Sequence, residues 1–189
     1  DLRMAGFRGN GGSNADILDA QIDAISFSLD LNEDGDTADD GENIAYDRYD
    51  SAATGGWTLG RVASNAIIAL AESPPGHFEA AGHQPFVPEI EGLEFFYTLE
   101  DGTQTTTPAD PSTIRSVQIS ILARARQADR NYTHNQFYCP ASHPQFNAGS
   151  VLCEDPDDAT NTMSPWGPFN DNFRRRFQTT TVNLRNMGL

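Results

Sequence analysis

Between two segments of strand period, the run Asp30-Leu31-Asn32-Glu33-Asp34-Gly35-Asp36 places oxygen-bearing side chains at every second position and a glycine where the chain must bend. Upstream, Ile25, Phe27, Leu29 and Leu31 alternate with Ser26, Ser28 and Asp30; downstream, Asn43-Ile44-Ala45-Tyr46-Asp47-Arg48-Tyr49 has the same period. Such flanks call for a hairpin with this loop as its connection. Alternate residues of a tight loop point inward, and calcium takes oxygen ligands at flexible geometry, so the loop is a candidate calcium site. The expected ligands are Asp30, Asn32, Asp34, Asp36 and Glu42, with Asp39 or Asp40 as substitutes. Counted from Asp30, Gly35 falls at position six as in an EF-hand, but position twelve is Gly41 and Glu42 comes one residue late. Asp30, Asp34, Asp36, Asp39, Asp40 and Glu42 repel one another, at a cost to folding unless a cation or open solvent relieves it. A solvated acidic turn is the alternative, since the same residue types build ordinary surface turns.

The charge balance narrows the partners. The net charge is -15, and all 12 basic residues are Arg. Phosphate backbones and anionic membrane surfaces would be repelled, so nucleic acid is excluded as an expected partner. At 189 residues, with 38% hydrophobic content and 11 Phe, the chain can bury one core, while 16 Gly and 11 Pro favour turns over a helical bundle. The expected fold class is α+β with β dominant. The longest uncharged apolar-rich stretch, 62–71, is about half the length needed to cross a bilayer. The start at Asp1-Leu2-Arg3-Met4, without an initiator Met, is expected of a piece trimmed from something longer.

Along the chain, residues 1–8 read as the last turns of a helix before Gly9-Asn10-Gly11-Gly12, with 1–12 as helix end and linker and 13–189 as the globular head. Residues 23–31 and 43–49 form the hairpin, 57–63 a third strand, and the proline-rich 72–88 a loop. Leu93, Phe95, Tyr97 and Leu99 share one face of a strand ending at the hairpin turn Asp101-Gly102. In 114–126, Val117, Ile119, Ile121 and Ala123 face inward. Phe169, Phe173 and Phe177 recur every four residues, which predicts a short helix, and 178–186 a closing strand.

Cys139 and Cys153 lack CxxC spacing; a disulfide closing a loop of about 15 residues would add about 3 kcal/mol and place the protein outside the cytoplasm, with unbonded thiols as the alternative. His77, His83, His134 and His143 match no metal or catalytic motif and read as ordinary surface histidines. The Arg174-Arg175-Arg176 run reads as incidental, pairing with surface carboxylates at modest energy. No nucleophile elbow or nucleotide-binding glycine pattern occurs, so an enzyme is not expected.

The order of these pieces resembles that of PilW-type minor type IV pilins: Asp1 to Phe7, Asp30-x-Asn32-x-Asp34-Gly35, Ile90-Glu91-Gly92-Leu93-Glu94-Phe95-x-Tyr97, Ile114 to Arg124, and above all Arg174 to Asn186. The resemblance implies a pilin-like α+β fold, the end of an N-terminal helix packed on an antiparallel sheet. It implies a structural subunit of a type IV pilus that helps initiate assembly near the tip, with other pilin subunits as partners and an inner-membrane anchor through a hydrophobic helix before assembly. A minor pseudopilin of type II secretion is the related alternative. A secreted calcium-binding adhesin module is the unrelated one.

Overall fold

The computed structural model describes residues 2–6, 15–51, 56–66, 68, 71–72, 75–77, 83–146, 153 and 165–184. Strand-period segments of the sequence become β1 (Ile17–Ala20), β2 (Ala24–Ser28), β3 (Asn43–Ser51), β4 (Gly56–Ser64), β5 (Ala71–Glu72), β6 (Pro75–His77), β7 (Gln84–Pro88), β8 (Ile90–Leu99), β9 (Gln104–Thr105), β10 (Ile114–Arg124) and β11 (Arg175–Asn183). They form a five-stranded sheet ordered β1-β2-β3-β4-β7, a four-stranded sheet ordered β11-β10-β8-β9 and the ribbon β5-β6. Every pairing is antiparallel.

The two larger sheets share one core. Ile25 and Phe27 from β2, Ile44 from β3 and Leu59 from β4 meet Leu93, Phe95 and Tyr97 from β8 and Val117 from β10. Alternation therefore assigned the inner faces of β8 and β10 correctly, although Ile119, Ile121 and Ala123 are only partly buried. The edge of β8 beyond its short pairing with β9 is capped by the β1–β2 turn: Phe95 N–H donates to Ile22 O (2.7 Å), and the Tyr97 hydroxyl donates to Gln21 O (2.7 Å). Asp101-Gly102 makes the expected turn, with Gly102 at φ 83° and its N–H on Leu99 O.

Three expectations fail for physical reasons. The N-terminal segment makes only a 3-10 turn at Leu2–Met4 and reverses at Gly6 (φ 72°), whose N–H donates to Ser28 O (3.1 Å). Besides this turn, the only helical turn among the described residues is the 3-10 turn Pro111–Thr113; antiparallel sheets are thus shown, a helix packed on them is not. Residues 7–14 lie outside the described residues. The stretch 72–88 is not all loop, because β7 pairs with β4; its Pro85 and Pro88 are tolerated since β7 is an edge strand. Finally, Phe169, Phe173 and Phe177 form no helical stripe, since Phe177 lies in β11 and each ring meets a different partner.

The outer face of the four-stranded sheet is also covered. A Cβ on Gly92 would lie 2.5 Å from Trp166 Cε3, so the indole packs directly on the strand backbone. Gly92→Ala should destabilise the fold by about 1–3 kcal/mol through overpacking. The measurement is the urea midpoint at constant m-value, and an unchanged midpoint would contradict this packing.

Candidate functional site

Three features of the fold are candidates for function: the acidic loop, the covered outer face of the four-stranded sheet, and a groove between the sheets. The acidic loop is wound on its own carboxylates. Asp30 sits fully buried just after β2, and its Oδ2 accepts from Gly35 N–H (3.1 Å) while Oδ1 has no hydrogen-bond partner. Glu42, 1% exposed, accepts from Leu31 N–H (2.8 Å) with Oε1 and from Asp39 N–H (3.1 Å) with Oε2. It braces the loop from below, and Leu29 N–H closes the hairpin on Glu42 O (2.9 Å).

At the exposed rim, carboxylate oxygens of Asp34, Asp36 and Asp39 lie within 4.8 Å of one another. Of the sequence candidates, Asp34 and Asp36 thus converge with the substitute Asp39. Asn32 joins them, its amide donating to Asp34 Oδ2 (3.1 Å) and Asp39 Oδ2 (2.6 Å). The backbone N–H of Asp36, followed by the Asn32 amide, holds the Asp34 carboxyl below its ordinary range. Asp39 shifts upward: the Asn32 bond favours its charged form, but the Asp34 carboxylate beside it outweighs that gain. The rim therefore carries more negative charge than its own donors neutralise.

The second feature is the outer face of the four-stranded sheet, where the described residues between β10 and β11 fold back over β8 and β10. Glu94, 2% exposed, accepts from Ser142 N–H (3.0 Å) and Ser142 Oγ (2.6 Å), and Ala141 N–H donates to Ser120 Oγ (3.0 Å). Burial raises the Glu94 carboxyl against those two Ser142 bonds. The Cys139–Cys153 disulfide is present. Arg175, whose side chain is fully covered, forks onto Asp171 (2.6 and 2.7 Å) and Glu91 (3.0 Å from Nη2 to Oε1, with Nε on Oε2) and lies 3.7 Å from the Phe169 ring centre. The Arg174 to Arg176 run is therefore not incidental: its middle residue is a buried double ion pair. Arg175 hydrogen bonds hold Asp171 down to about 2.

The histidines also depart from expectation. His134 and His143 are buried, 0% and 4% exposed. His134 Nε2 meets the Tyr138 hydroxyl (2.9 Å), and burial, then the Arg175 charge, lowers its pKa. His83 pairs with buried Asp47 (3.0 Å). The His134 and His143 side chains pack inward because polar rings of the excursion need covering and hydrogen-bonding neighbours, a demand that spacing alone does not signal.

The third feature is an apolar groove of about 370 Å³ between the sheets, lined by Leu2, Arg3, Tyr46, Leu59, Phe86, Leu93, Phe95, Ile119, Ile121 and Val182. Phe86 is 63% exposed at its lip.

Residues 57–186 match the family described as Type IV Pilus-assembly protein W. The chain belongs to that family. It is a pilus-related structural subunit, extracytoplasmic, and its family implies interaction with other pilin subunits. Pilus-assembly proteins of this family are structural rather than enzymatic. Among solved structures the chain is similar to a type IV-like pilin from Thermus thermophilus, at 14% identity and a TM-score of 0.47 over 100% of this chain and 91% of that one. No curated protein matches it. The family match covers β4 to β11, with most of the groove and the whole outer face, and begins after the acidic loop. No described helix is long and apolar enough to cross a membrane.

The ion pair under the excursion makes a sharp prediction for this pilus protein. Arg175→Ala leaves Glu91 and Asp171 without their cation and should cost about 3–5 kcal/mol. Because the folded pKa of Asp171 lies below its unfolded value of about 3.9, its contribution is complete above about pH 4 and is lost as pH falls through about 2. Thermal melts across that range should show an acid-limb step that Arg175→Ala removes; an identical limb in the variant would refute the assignment.

Proposed function

We propose that this chain is the head of a minor type IV pilin that helps initiate filament assembly near the tip. The observation that carries the reading is the groove beside the N-terminal turn. Its floor of Leu93, Phe95, Ile119 and Ile121 is apolar, its lip holds exposed Phe86, and Leu2 lies along its side. A surface of this kind buries an apolar helix with gain from every side chain removed from water, at about 25 cal/mol per Å². We place the pilin helix there. Replacing the exposed lip residue Phe86 with Glu in the cell should lower the number of surface filaments while the isolated head keeps its melting temperature. Unchanged filament numbers would count against the groove as the assembly surface.

The acidic loop is the second part of the reading. Asp30, Asn32, Asp34 and Asp36, with Asp39, would hold calcium, and Glu42 keeps the loop wound beneath it. Buried Asp30 Oδ1 without a partner and the converging rim carboxylates support this, since a hard cation supplies what both lack. Amide rotation would turn Asn32 Oδ1 toward the ion in place of its NH₂. The role is structural: the ion staples the end of β2 to the start of β3. Calcium at a hundredfold over its Kd should add about 2.7 kcal/mol of stability, seen as a rise in melting temperature. Asp30→Asn should abolish both that rise and the heat of titration, and a calcium response that survives the substitution would dismiss these ligands.

A further inference from the structure

Of the sheet edges, β11 is the least protected. β7 carries Pro85, Pro88 and a bulge, β1 is four residues long with a bulge, and β9 is two residues long. β11 runs nine residues without Pro, Gly or a register shift, and no described strand lies on its far side. Two hydrogen bonds fix which way its main chain points. Ala125 N–H donates to Arg174 O (2.8 Å) and Leu184 N–H to Arg115 O (3.0 Å). With the unbroken register between them, Arg176, Gln178, Thr180 and Val182 bond to β10, and Arg175, Phe177, Thr179, Thr181 and Asn183 turn their N–H and C=O groups outward. Arg175 shows this directly, its side chain fully covered and the residue as a whole still partly accessible.

Charge selects what this edge accepts. Arg126, Arg130 and Arg176 are exposed and carry no ion-pair partner among the described residues. Their backbones lie near the start of the ladder: Arg176 pairs in register with Ala123, Arg126 follows the Ala125–Arg174 hydrogen bond, and Arg130 follows Asp129, which is bonded to Arg174 (2.8 Å). Guanidiniums without an ion-pair partner beside an open strand edge are complementary to an anionic segment. We propose that the outer edge of β11 adds an extended acidic segment of a partner subunit as a further strand of the four-stranded sheet, with its carboxylates against Arg126, Arg130 and Arg176. Main-chain hydrogen bonds supply the affinity, and the arginines select the partner and its register.

The probe is a nine-residue peptide of alternating Val and Thr with two Asp at one end, made in both orientations, beside counterparts with Lys in their place. One Asp peptide should bind the wild-type head, weaken with added salt, and exceed its Lys counterpart by at least about tenfold. Thr179→Pro removes an outward N–H and leaves the bonds to β10, so it should keep the melting temperature and lose at least about tenfold in affinity. Should that variant unfold, hydrogen exchange on the wild type decides: the amides of Phe177, Thr179 and Thr181 gain protection on peptide addition. The proposal is overturned by no binding, by equal binding of Asp and Lys peptides, by affinity unchanged in Thr179→Pro, or by protection elsewhere. Self-association through this edge without peptide binding would assign it to a second copy and overturn it as well.

Discussion

The central strand β8 of the four-stranded sheet is buried on both faces over Gly92–Phe95, and the rest of the head follows from that constraint. The sheet's inner face is apolar and meets the five-stranded sheet with Leu93, Phe95, Tyr97 and Val117. Its outer face carries Gly92, Glu94 and Ser120, which water would ordinarily cover. A buried carboxylate is costly unless hydrogen-bonded, so Glu94 requires Ser142, and Ser142 requires the excursion to lie where it does. The indole over Gly92 and the double ion pair at Arg175 hold the same segment down at separate points, and the Cys139–Cys153 disulfide closes a loop within it.

In the acidic loop charge is handled differently. The acidic loop keeps its carboxylates on loop backbone N–H groups and turns the surplus toward solvent. Its root is tied to the N-terminal turn, because Ser28 O accepts from Gly6 N–H while the next residue, Leu29, closes the hairpin on Glu42. Winding of the loop and placement of the N-terminal turn are thus mechanically adjacent, and that turn borders the groove.

Much of the ladder was legible because a strand with one apolar face declares its period. Leu93 to Leu99, the Asp101-Gly102 turn and Val117 to Ala123 needed nothing beyond alternation and turn chemistry. Fourfold spacing of Phe169, Phe173 and Phe177 misled, since an extended chain can carry the same spacing when each ring has its own partner. Prolines in 84–88 misled for the opposite reason: an edge strand tolerates what an interior strand would not. In the acidic loop the oxygen pattern was readable, Asp39 included as a substitute, but not that Glu42 would brace two amides below the rim.

By itself the sequence determined the strand-period skeleton, the wound acidic loop, the cysteine pair and the family, because each is written in local spacing or in an ordered set of motifs. Only tertiary structure decided which polar groups are buried. Glu94 finds Ser142 at a separation of 48 residues and Arg175 finds Glu91 at 84, and no local pattern marks such partners. The cost of burying a charge depends on what lies within hydrogen-bond reach, and that is set when the chain folds back on itself.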